Sequence, residues 1–365
     1  MGYVAVKGGT IAIDESIKRL KYERFKKKEI LNVKEIEAGM RGLIDQVMSE
    51  SSIYCEELAA IAIKQAEGNP EEAVFLLRAY RSTLPRKHYS KIVNSDDMII
   101  ERRISASFKD IPGGQILGAS YDYTHRLIDF DLVDETKEAS LKWLENFEKE
   151  IDEKNIDMSK LPKVLDYLRN QGLMINCEEN NKEPRDVTKK SIEFPTDRSE
   201  RLQILTRGQT GAVTSLGYAA IRGYGDIHPT IGELRVGSLP IYIDDPLNHS
   251  NDGEDAFYIG EIKVTEVETL FPNSIEKENG QTEMTFEIGY GICYGQNETK
   301  VIAMSILDHC LETADPRYPT HDEEFVLLHI DSVESTGFIS HLKLPHYVTF
   351  KSKLDSVVKT KKGAL

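Results

Sequence analysis

The feature that most limits the fold is a change of hydrophobic period along the chain. Up to about residue 84 the apolar residues recur every three to four positions. Val33 to Met48 places Ile36, Met40, Leu43, Ile44 and Val47 on one helix face, and Cys55 to Ala66 does so with Leu58, Ile61 and Ala62. Asn69-Pro70-Glu71-Glu72 opens a third helix with a capping side chain, a proline at the first helical position and acids in the first turn. It carries Ala73, Leu76, Leu77, Tyr80 and Leu84, and Pro85 stops it. Between residues 256 and 294 the period falls to two: Met284, Phe286 and Ile288 alternate with Thr285 and Glu287. Asn297 then caps a helix with Val301, Met304, Leu307 and Leu311 inward. Helices first and strands later predict an α+β fold, a helical N-terminal region followed by a mixed helix and antiparallel-sheet domain, and not a doubly wound sheet.

At 365 residues the chain divides on this reading into a helical region 1–130, a variable helical insert and linker 131–195, and an α+β domain 196–365. In the insert, Trp143, Leu144 and Phe147 mark one amphipathic helix, and Leu161 to Leu173 reads as another. Arg201 to Arg222 reads as helix despite Gly208, Gly211 and Gly217. At the start, a short strand, a turn at Gly8-Gly9 and a helix beginning near Thr10 or Asp14 are expected.

The balance of 61 acidic against 46 basic residues, net −15, argues against a nucleic-acid coat protein. Apolar runs are far shorter than a membrane span, and Met1-Gly-Tyr-Val lacks a charged segment before a greasy one, so no membrane and a cytoplasmic location are expected. Cys55, Cys177, Cys293 and Cys310 form no CxxC pair, which argues against a cluster or cysteine-rich zinc module held by this chain alone.

Three stretches carry chemistry. The first runs from Asp322 to Phe350 and ends in His341-Leu-Lys-Leu-Pro-His346. Glu323 to Thr336 reads as a helix with Gly337 as its C-cap, and Phe338 to Leu344 as a short strand broken by Pro345. A turn at Pro345 can bring both imidazoles to one side, the start of a zinc or similar divalent site, with two polar side chains flanking a strand end as the default reading from spacing alone. The second is Glu101 to Arg126, which mixes Arg102, Arg103, Lys109 and Arg126 with a Pro112-Gly113-Gly114 turn and with Asp110, Asp122, Tyr123 and His125. Glycines allow close backbone approach to a ligand and the cations suit phosphate; an ordinary loop with Asp110 and Arg126 in ion pairs is the plain alternative. The third is Arg222-Gly-Tyr-Gly-Asp-Ile-His228-Pro. Arg78 and Arg81, three apart on the third helix, can also meet phosphate, with a solvated flank as the default reading.

The strings YVAVKGG, EEAVFLLRAYRSTL, ERRISASFKDIPGGQILGASYDYTHRLIDF, RGYGDIHP and DEEFVLLHIDSVESTGFISHLKLPHY resemble the PhnI subunits of bacterial carbon–phosphorus lyase, from Tyr3 to about Phe350. The resemblance implies a part in making ribose 1-methylphosphonate 5-triphosphate from ATP and methylphosphonate, with purine nucleosidase activity alone. It implies a core assembly with PhnG, PhnH and PhnJ, a requirement for PhnL in the first step, and self-association. It also matches the family's two zinc-binding histidines to His341 and His346. For glycosidic chemistry, Asp110, Asp122, His125 and His228 are then the candidate acid and charge-stabilising groups. Arg102, Arg103, Lys109, Gly113, Gly114, Tyr123, Arg126 and Arg222 are the substrate-binding candidates. The rival reading is a non-catalytic scaffold whose glycine and arginine stretches, with Tyr121 and Tyr224, are subunit interfaces.

Overall fold

The computed structural model describes residues 9–151, 160–174, 182–224, 228–246, 256–276 and 280–362. The opening strand and Gly8, the polar stretch around Cys177 and the Gly225–Ile227 segment lie outside them. The fold is α+β, with a helical part and a four-stranded antiparallel sheet. The chain clusters into two compact units that interleave in sequence. One gathers Met1–Pro85, Asn181–Gly225 and Cys293–Leu365; the other gathers Arg86–Asn180 and Asp226–Ile292. Neither ends at residue 130 or 195.

The described part of the first unit is helical. After α1 (Gly9–Phe25) come α2 (Val33–Gly39), α3 (Arg41–Ser51), α4 (Glu56–Gln65) and α5 (Pro70–Ser82). The expected single helix from Val33 is therefore two, parted at Met40. Ile36, Ile44, Val47, Met48, Ile63, Val74 and Leu77 form one core, each contributing about 1.5–3 kcal/mol by leaving water. Asn69 caps α5 through the Glu72 amide, as its sequence predicts. The stretch from Arg201 breaks into α8 (Arg198–Arg207) and α9 (Thr210–Ala219) at Gly208, whose ψ of 146° leaves the helical region, and a Cβ there would lie 2.7 Å from Val213. Helix α10 (Glu298–Thr313) starts at its Asn297 cap and buries Val301, Met304, Leu307 and Leu311.

The end of the chain departs from the reading. Residues 323–341 form α11 (Glu323–His329) and α12 (Ser332–His341), and α13 (Tyr347–Lys362) follows. The expected strand from Phe338 is helix, and Gly337 lies inside α12 instead of capping it. Asp331 explains this: its Oδ1 accepts the amides of Val333 and Glu334 and starts a new helix there. Phe338 and Leu342 fit a helical i,i+4 pair as well as strand alternation.

The second unit is built on β1 (Ile99–Ile104), β2 (Thr230–Asp244), β3 (Ala256–Glu276) and β4 (Thr282–Tyr294), hydrogen-bonded in that order. Arg103 pairs with Arg235 across β1 and β2, and Arg235 pairs with Glu266 across β2 and β3. The insert supplies α6 (Lys137–Glu150) and the short α7 (Asp166–Asn170), whose Leu165 and Leu168 pack with Ile111, Val164, Met174 and Leu270.

Candidate nucleotide site and histidine pair

The glycine-bearing loop is fastened to β1 by two consecutive arginines. Neighbouring strand residues point to opposite faces, so Arg102 and Arg103 diverge. Arg103 is 0% exposed. Its Nε donates to Glu233 Oε1 at 2.5 Å, Nη1 to the Pro112 carbonyl at 2.5 Å and Nη2 to the Pro162 carbonyl at 2.7 Å. Glu233 uses its other oxygen to accept the Val164 amide at 2.9 Å. One buried ion pair thus holds both the entrance of the Gly113-Gly114 turn and the segment after residue 160. Gly113 and Gly114 have φ of +79° and +75°. A Cβ on Gly113 would lie 2.5 Å from Leu161, whereas Gly114 faces open space.

Arg102, 1% exposed, reaches the other way. It donates to the Leu117 carbonyl, and through Nη2 to Asp122 Oδ2 at 2.7 Å. Asp122 Oδ1 accepts from Arg126 Nη2 at 3.3 Å, and its side chain is 49% exposed. The carboxylate is therefore braced from below by a buried guanidinium and flanked from solvent by a second one. Ser120 Oγ accepts the Asp122 amide at 3.1 Å and starts the one-turn helix Tyr121–Tyr123. Tyr123, His125, Lys109 and Asp110 are exposed along the same loop. Asp122, and not Asp110, is the acid that pairs with Arg126.

His228 is exposed, and its Nδ1–H donates to the Pro229 carbonyl at 3.0 Å. No hydrogen bond or ion pair joins it to Asp110, Asp122 or His125 among the described residues. Arg222 belongs to the helical unit, on the π-helical turn Ala220–Tyr224 that follows α9. Arg78 is no solvated flank: it donates to the carbonyls of Glu50 and Arg207 and to Asp331, and Arg81 donates to the Ser51 carbonyl at 2.7 Å. These carbonyls are helix C-terminal, where cations are favoured.

His341 closes α12 and His346 precedes α13, with ring centroids 5.6 Å apart. Their Nδ1 atoms meet the carbonyls of Phe338 and, at 2.6 Å, Leu344. A carbonyl only accepts, so Nδ1 carries the proton in both rings and the Nε2 lone pairs are left for a ligand. That is the tautomer in which an imidazole binds a metal through Nε2. Two nitrogens do not fill a zinc site, and among the described residues no group of three or more His, Cys, Asp or Glu side chains gathers.

Sequence reasoning missed a buried charged layer on the same sheet. Arg235 Nε donates to Glu266 Oε2 at 3.1 Å, Tyr290 to Glu266 Oε1 at 2.8 Å, and Arg169 Nη2 to Glu268 Oε1 at 2.5 Å. Burial alone would raise Glu266, but the charges of Arg235 and Lys163 and two hydrogen bonds bring it down to about 2. Glu268 is raised, because its burial outweighs Lys163 and Arg169. The alternation of Glu233, Leu234, Arg235 and Val236 was the available signal; it reads as a solvated strand face, and here both faces are buried.

The model for the family described as bacterial phosphonate metabolism protein (PhnI) matches residues 2–364. The chain is 41% identical over 361 residues to the alpha-D-ribose 1-methylphosphonate 5-triphosphate synthase subunit PhnI of Escherichia coli (strain K12), covering 97% of this chain and 96% of that one. It is 39% identical over 368 residues to the subunit of the same name from Rhizobium meliloti (strain 1021), covering 97% and 94%. A match across nearly the whole chain, carried by relatives of almost equal length, places this protein in the PhnI family of bacterial phosphonate metabolism.

Proposed function

We propose that the chain is the ribosyl-transferring subunit of a carbon–phosphorus lyase assembly. It exchanges the adenine of ATP for methylphosphonate and acts as a purine nucleosidase when alone. The relatives' printed name, a ribose 1-methylphosphonate 5-triphosphate synthase subunit, supports the substrate class. The observation that carries the site assignment is the half-exposed Asp122 carboxylate held between buried Arg102 and exposed Arg126.

In this reading the bond from the ribose anomeric carbon to the purine nitrogen breaks with its electron pair leaving on the purine. Asp122 faces the oxocarbenium-like ribose and stabilises its positive charge. His125 or His228 delivers the proton that the departing base takes, with Asp110 as the further candidate acid. A phosphonate oxygen, or water in the chain alone, then bonds to the anomeric carbon. Arg126 and Lys109 meet the triphosphate, Tyr123 stacks on the nucleotide, and the open side of Gly114 admits a phosphate oxygen to the backbone. Arg102 and Arg103 spend their donors inside the protein, so their role is to position Asp122 and the Gly113-Gly114 turn.

His341 and His346 would hold a divalent metal through their Nε2 atoms; imidazole suits zinc, copper, nickel or iron, and the family resemblance favours zinc. When bound, such a metal would supply Lewis acidity toward a phosphate or phosphonate oxygen. Phe338, Leu342, Leu344 and Tyr347 are exposed around the pair, which supports completion of the site under a partner surface. The assembly comprises PhnG-, PhnH- and PhnJ-like subunits, with a PhnL-like protein for the first step and self-association in the core. Purified chain incubated with ATP, followed by chromatography for free adenine, tests the reading. Adenine supports an enzyme, and its absence supports the scaffold.

A further inference from the structure

Residues 160–174 are fastened to all four strands of the sheet. The Pro162 carbonyl accepts from Arg103 of β1, and the Val164 amide donates to Glu233 of β2. Lys163 Nζ lies 3.4 Å from Glu266 and 3.8 Å from Glu268 of β3, and Arg169 also donates to Glu268. At the far end the Phe286 amide of β4 donates to the Leu173 carbonyl at 3.2 Å, and Met174 forms a bridge to the same residue.

Two glycines set how closely this segment sits. A Cβ on Gly113 would lie 2.5 Å from Leu161, and a Cβ on Gly232 would lie 2.7 Å from Leu165. Both leucines therefore occupy space that any other residue at 113 or 232 would fill. Packing this close does not deform continuously, so a segment seated on it has discrete positions. The charges act in the same direction. Glu266 and Glu268 are buried, and removing one partner of a buried ion pair costs far more than at a surface. A segment held this way along its length moves as one body.

We infer that residues 160–174 are a strap that positions the Gly113-Gly114 turn through Leu161, and that Arg169 fixes the strap from its far end. Leu161 and Arg169 are positioning residues. Leu161 lies directly against the turn. Arg169 acts at a distance, since its hydrogen bonds go to Asp166 and Glu268. A shift at Arg169 reaches the turn because the strap carries it past Val164 and Pro162, which share the Arg103–Glu233 pair. The consequence for nucleotide binding rests on the reading above; the coupling between the two ends of the strap does not.

Hydrogen–deuterium exchange of the full-length chain tests the coupling without reference to activity. Peptides from 109–118 report the turn, where the Gly114 amide donates to the Ile111 carbonyl at 2.9 Å. Leu161→Ala should speed their exchange about tenfold, and Leu161→Met, of nearly the same volume, should restore the protection. Arg169→Gln frees the far anchor, and Glu268, already raised by burial, takes up a proton in place of its partner. It should speed exchange in 160–174 and in 109–118 together, with β2 and β3 unchanged. In the nucleosidase assay Leu161→Ala and Arg169→Gln should raise KM for ATP and leave kcat within about twofold. The inference is overturned if Arg169→Gln loosens 160–174 alone, if exchange rises evenly over the whole unit, or if Leu161→Ala leaves 109–118 protected. A loosened turn with unchanged KM overturns its part in binding. A native chain that releases no adenine refutes the nucleosidase reading, and the exchange comparison still decides the strap.

Discussion

Arg78 donates from Nη1 to Asp331 Oδ2 at 2.6 Å, while the other oxygen of Asp331 caps α12. One carboxylate thus ties the start of the helix that ends in His341 to α5, and through Arg78 to the carbonyls at the ends of α3 and α8. Burial would raise Asp331, but the Arg78 charge and hydrogen bond and the Glu334 amide hold it below its ordinary value.

The two oxygens can be separated by substitution. Asp331→Asn keeps a capping side chain and leaves the largely buried Arg78 guanidinium without its carboxylate, though still donating to the Glu50 and Arg207 carbonyls, at a cost of about 2–4 kcal/mol. Asp331→Ala loses the cap as well, about 1 kcal/mol more. Urea unfolding at neutral pH measures both. Because the folded value is depressed, the stabilisation is complete above the unfolded carboxylate value and is lost as pH falls through the folded one. Equal effects of Asn and Ala would show that the cap contributes nothing.

The neighbouring acids Glu266 and Glu268 are expected to behave oppositely. Glu266, at about 2 against an ordinary 4.5, stabilises the fold by about 3 kcal/mol above pH 4.5 and loses this as pH falls toward 2. Glu268 is raised, so its contribution is favourable at low pH and turns against the fold as pH rises through its folded value. Glu266→Gln therefore destabilises strongly at pH 7 and little near pH 2. Glu268→Gln is close to neutral at pH 7. Thermal melts across pH check this, and the same slope for both variants would contradict it.

The parts of this arrangement differ in how well the sequence announces them. The caps at Asn69 and Asn297 are legible because cap, first-turn acids and apolar spacing lie within a few residues of each other. Strand β2 is not, because Gly232, Gly237 and Pro240 interrupt it, and Glu233 and Arg235 are buried only by partners from β1 and β3. In the site, the sequence marks Arg102, Arg103, Asp122 and Arg126 as one functional group of residues. Which guanidiniums face inward depends on β1 pairing with β2, a long-range fact that local spacing does not carry.

Arg103 gives a test of positioning as against contact. Arg103→Lys keeps the charge but cannot reach Glu233, Pro112 and Pro162 together. The expected outcome is a nucleosidase whose KM for ATP rises about tenfold while kcat changes less, because the Gly113-Gly114 turn is loosened and no reacting group is lost. A fall in kcat alone would place Arg103 on the transition state.

For the histidine pair, elemental analysis of assembled complexes carrying His341→Ala or His346→Ala should show loss of zinc from either variant. Phosphonate turnover should fall further than purine release. Unchanged zinc in both variants would remove the metal assignment.

The central claim is that this chain holds the ribosyl-transfer site at Asp122. Its most direct measurement is phosphorus NMR of ATP and methylphosphonate incubated with assembled complex carrying either the native chain or Asp122→Asn. The native chain should produce a new phosphonate-ester resonance together with free adenine. Asp122→Asn, folded and assembled, should slow both by at least about a hundredfold, the loss of one transition-state electrostatic contact. Equal rates for the two would place the chemistry elsewhere in the assembly and contradict the account.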